Sequence, residues 1–131
     1  MCLDITATIA PDAKARISAK RLSELSGLHV ASFKIDGLPT LHFSVNGGCS
    51  CEFLSDNAEF ESETWALDPN HLPALAQALS ILAKETGRFS FVARWLNGER
   101  SRRTERIRGA QLVKLVTENR VGNNVLYEAT G

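Results

Sequence analysis

Nothing in this sequence assigns a compartment or a chemistry at sight. No apolar run approaches the roughly 20 residues that a membrane-spanning helix needs. The opening MCLDITATIAPD lacks the basic segment and long apolar stretch of a secretory signal. Neither sign of charge predominates, with 15 Lys and Arg against 15 Asp and Glu. A neutral chain has no global pull toward nucleic acid or a membrane surface. Cysteine is scarce and odd in number, at Cys2, Cys49 and Cys51, which is no disulfide framework. There is no G-x-S-x-G, H-E-x-x-H, Walker or G-x-G-x-x-G motif, no internal repeat and no Pro/Gly/Ser-rich linker. Together these absences predict a soluble, cytoplasmic protein with reduced thiols, one domain over residues 1–131, and no evident cofactor.

What is present suffices for a real core. Of 131 residues, 44% are apolar, and a chain of this size buries roughly two thirds of its unfolded surface. Leu3, Ile5, Ala7 and Ile9 alternate with polar residues, as in a half-buried strand. Pro11 suits a first helical position, and 12–26 reads as a weakly apolar helix ended by Gly27. Residues 28–35 and 40–46 read as strands around a turn at Asp36, Gly37 and Pro39. Asp68 and Pro69 resemble an N-cap and N1, followed by the helical stripe Leu72, Leu75, Ala76, Leu79, Leu82 and Ala83. Residues 88–96 read as a strand, 109–120 as a third helix and 125–129 as a last short strand. Alternating strands favour an antiparallel or mixed sheet with helices on one face. The expected class is therefore α+β, with about three helices, and a ferredoxin-like β-α-β-β-α-β core order is compatible with it.

The compact chemical feature is NGGCSCEF at 46–53. If Gly47-Gly48 forms a two-residue turn, 49–54 returns as a strand beside 40–46. Cys49 and Cys51 then share a face, with His42 diagonally beside Cys51. That set offers a nucleophilic thiol activated by imidazole, with Cys49, Cys51 and His42 as catalytic candidates. It also offers ligands for a soft metal such as zinc, from Cys49, Cys51 and His42 with His71 or Cys2 as a fourth. A disulfide between next-but-one residues of a regular strand is geometrically poor. Against these chemistries stands simple packing, since buried cysteine behaves as a small apolar residue.

Charge is uneven along the chain. Residues 49–70 hold six acidic and no basic residues, whereas 88–108 hold seven arginines and two glutamates. With Asn97-Gly98 as a hairpin turn, Arg100 faces Trp95 and Arg102 faces Ala93. Arg100, Arg102, Arg103 and Arg106, with Trp95, are the binding candidates. They suit a charged edge strand, contact with the acidic segment, or a site for an anion; nucleic acid is disfavoured by the neutral total. The leading expectation is a non-enzymatic binding or interaction module whose partner is another protein or a second copy. The rivals are thiol or metal chemistry at Cys49-Ser50-Cys51 and anion or nucleic-acid binding at Arg100–Arg108.

Overall fold

The computed structural model describes residues 3–56, 62–95 and 101–131. Nine regular elements follow one another there: β1 (Leu3–Ile9), α1 (Ala19–Ser26), β2 (His29–Ile35), β3 (Leu38–Ser44), α2 (Leu72–Thr86), β4 (Arg88–Trp95), β5 (Arg103–Arg108), α3 (Gly109–Thr117) and β6 (Val125–Thr130). They build a single α+β domain with a six-stranded sheet of order β2-β3-β1-β4-β6-β5. All neighbours are antiparallel except β5 and β6. No helix among the described residues is long and apolar enough to cross a membrane.

Period-two patterning sets the two faces of the sheet. Leu3, Ile5, Ala7 and Ile9 are each at most 1% exposed. Across the ladders they meet Trp95, Ala93, Phe91 and Phe89, and Phe89 and Phe91 meet Ala129 and Tyr127. Cross-strand partners share a face, so this face is apolar from β1 to β6. The helices cover it with Leu22, Leu75, Leu79, Leu82, Leu112 and Val116, all at 0% exposure and all in one core cluster. Each such side chain contributes about 1.5–3 kcal/mol by leaving water. The alternate set, which includes Asp4, Thr6, Thr8, Ser90, Glu128 and Arg106, forms the opposite, open face.

Local chemistry explains the element ends. Ser18 accepts the Arg21 N–H and starts α1. The β2–β3 connection is a two-residue turn, because Ile35 pairs with Leu38 and both Asp36 and Gly37 have positive φ. That is the twist-matched hairpin geometry. Gly87 ends α2 in the left-handed region.

Four expectations need correction. The helix expected over 12–26 shrinks to Ala19–Ser26. Residues 10–13 turn instead, with Ala13 N–H on Ala10 O, and Lys14 N–H then goes to Thr86 O. Asp68 is not the α2 cap. Its carboxylate accepts the Asn70 N–H, closing a turn ahead of a helix whose N-cap is His71.

Residues 49–54 are not a strand returning beside β3, because β3 already has β2 on one edge and β1 on the other. The chain instead forms one 3-10 turn at Ser50–Phe53, and only Gly47 of the glycine pair has positive φ. The last correction concerns β4 and β5, which are not a hairpin, since β6 lies between them. Asn124 fills the place expected for a direct partner: its N–H donates to Ala93 O and its carbonyl accepts from Arg102 N–H. Asn97, Gly98, Arg100 and Cys2 lie outside the described residues.

Candidate functional site

The Cys-X-Cys stretch is organised by its serine. The β1–β3 ladder stops at the Thr6–His42 pair, although β1 runs on to Leu3 and β3 to Ser44, so inner N–H groups of β1 lose their strand partner. Ser50, fully buried, accepts the Ile5 N–H at 3.0 Å and donates to Phe43 O. Cys51 Sγ accepts the Leu3 N–H at 3.1 Å. The 3-10 turn thus substitutes side chains for the missing ladder, because buried backbone polar groups must be paired. Cys49 is the half-buried residue that precedes the turn.

His42 does meet this stretch, but through Ser50. Its Nε2 lies 3.4 Å from Ser50 Oγ and 3.0 Å from Asp4 Oδ1. Serine, histidine and aspartate therefore come together without forming a relay. A relay needs the hydroxyl and the carboxylate on opposite ring nitrogens, whereas both sit at Nε2 here. The one proton of Ser50 is also committed to Phe43 O. His71 lies elsewhere, edge-on to Phe53 at 5.9 Å and 3.8 Å from Asp68. Among the described residues no three Cys, His, Asp or Glu side chains converge as metal ligands.

The arginine run divides because a strand alternates. Arg103 shares the helix side with Glu105 and Ile107, and its Nε donates to Glu105 at 2.8 Å. That carboxylate holds the Arg103 guanidinium still more firmly charged. Arg102 lies 3.9 Å from Glu63, one contact with the acidic segment. Trp95 is half-buried against Trp65, at 4.9 Å between ring centroids and 66° between planes. Arg106 and Arg108 take the other side, on the open face.

There they join residues that spacing does not single out. Register places Thr8 beside Ser90, Ser90 beside Glu128, and Glu128 beside Arg106. One step on, Arg88 lies beside Thr130, and Thr130 beside Arg108. These two rows cross four adjacent strands and line a cavity of about 630 Å³, bounded by Leu38 on one side and Gln111 on another. Pockets of roughly 300–1,000 Å³ suit small ligands. Three guanidiniums border it. Arg88 is held 2.6 Å from Asp12, and Arg106 Nε lies 3.6 Å from Glu128. Among the described residues Arg108 has no carboxylate within ion-pair distance. The arrangement presents N–H and O–H donors with one cation in excess, which suits an oxyanion.

Arg106 is the one expected binding residue in this depression. Arg88, Thr8, Ser90 and Gln111 come from distant segments that only the sheet order brings together. Comparison with protein-family models, curated proteins and solved structures gives no significant match.

Proposed function

We propose that the protein is a non-enzymatic binding module that holds a small anion in the open-face depression. One observation carries the reading: Arg88, Arg106 and Arg108, with the hydroxyls of Thr8, Ser90 and Thr130, surround a single cavity on β1, β4, β6 and β5. Guanidinium pairs with carboxylate or phosphate through directed, charge-assisted hydrogen bonds. Binding is favoured over thiol chemistry because Cys51 and Ser50 are engaged with β1 backbone groups.

Calorimetric titration with inorganic phosphate and acetate at low salt tests this. Saturable one-site binding is expected, weakened about tenfold by Arg108→Gln, the loss of one charge-assisted contact. It should weaken further as salt rises. No binding of either anion at low salt, or binding untouched by Arg88→Gln, Arg106→Gln and Arg108→Gln together, would refute the reading.

A further inference from the structure

We infer that the ligand of this depression is an amphipathic monoanion, a carboxylate carrying an apolar chain; the inference rests on the anion-site reading above.

Charge sets the head group. Asp12 offsets Arg88 and Glu128 offsets Arg106, which among the described residues leaves Arg108 as the one uncompensated cation of the depression. A single negative charge balances it, and a planar carboxylate matches the guanidinium fork. A phosphomonoester would bring a surplus charge next to Asp12 and Glu128.

Apolar surface sets the tail. Leu38 lines the cavity on the side away from β5. Its partner across the β2–β3 ladder is Ile35, and Phe33 lies two residues along on the same face. Ile35 is 45% exposed and Phe33 43%. They are two of the three large apolar side chains exposed among the described residues, and Ile35 pairs directly with Leu38 of the cavity wall. An apolar strip continuous with a polar pocket calls for a ligand with both characters.

The sheet order fixes the direction. Strands β3, β1, β4, β6 and β5 lie side by side. With neighbours roughly 4.8 Å apart, Leu38 and Arg108 are about 19 Å apart along the sheet before the arginine side chains reach inward. The hydroxyls of Thr8 and Ser90 lie between them. An elongated molecule placed across the strands puts its carboxylate toward β5 and its chain toward Leu38 and Ile35.

Calorimetry on the full chain with sodium octanoate, sodium acetate and octanol tests this directly. Octanoate is expected to bind at one site, at least about tenfold tighter than acetate, because buried methylenes add to affinity. Octanol should bind far more weakly than octanoate. Ile35→Ser and Phe33→Ser should weaken octanoate and leave acetate unchanged, while Arg108→Gln should weaken both. Equal affinity for octanoate and acetate would overturn the apolar-chain inference and leave the anion site standing. Failure of every anion would overturn both. Octanol binding as tightly as octanoate would also overturn the inference. So would a change of oligomeric state in Phe33→Ser with octanoate affinity intact, because the strip would then be a protein contact.

Discussion

At Ser50 one hydroxyl closes the gap that two strands leave open, taking the Ile5 N–H and giving its proton to Phe43 O. Removing it orphans two buried backbone groups, at about 1–3 kcal/mol each. Ser50→Ala should therefore lower stability in urea unfolding by more than either Cys49→Ala or Cys51→Ala; a loss under about 0.5 kcal/mol would contradict this role. Tyr127 gives a second residue-scale test. Its hydroxyl accepts the Gly122 N–H at 2.9 Å, and burial raises its pKa above the ordinary value of 10.0. The folded state thus keeps the proton when the unfolded chain gives it up. The contribution is full below the unfolded pKa and is lost as pH rises through the higher folded value. Unfolding midpoints measured across that alkaline range should fall with pH, and Tyr127→Phe should remove part of the slope. At this scale sulfur chemistry is visible in one dimension, and so Cys49 and Cys51 attract notice. A serine becomes informative only once the strands beside it are known.

Among elements, what a strand contains is more legible than what lies beside it. The alternation of β1 and β4, the stripe of α2 and the Asp36-Gly37 turn follow from spacing and turn chemistry. The neighbours of β3 do not, since β1 reaches it from beyond α1 and β2. Gly47-Gly48 can form a hairpin turn, but no free edge of β3 remains for the returning strand. The same holds for β4 and β5, which β6 separates. Non-local tethers show equally little in the sequence. Asn119, at φ 56°, accepts the Leu67 N–H and donates to Leu67 O, at 3.0 and 2.8 Å. It joins the end of α3 to the segment carrying Trp65 and Leu67, both buried. Asn119→Ala should cost about 1–3 kcal/mol and speed amide exchange at Leu67 in particular. Uniform exchange across the chain would show that the tether is not local.

For the whole molecule, the decisive fact is which face each arginine takes. The run at 100–108 is plain in the sequence, yet strand alternation sends Arg103 to the helix side and Arg106 and Arg108 to the open face. Arg88 joins them from β4, and Leu38, Ile35 and Phe33 from the opposite flank. A candidate set drawn from one segment therefore captures one wall of the depression. An amide chemical-shift map recorded during octanoate titration tests most directly whether the ligand lies in the open-face depression. Saturable shifts are expected, concentrated at Thr8, Leu38, Ser90, Arg106, Arg108 and Glu128, with Cys49–Phe53 unmoved. Shifts centred on Cys49–Phe53, or none anywhere at low salt, would contradict that placement.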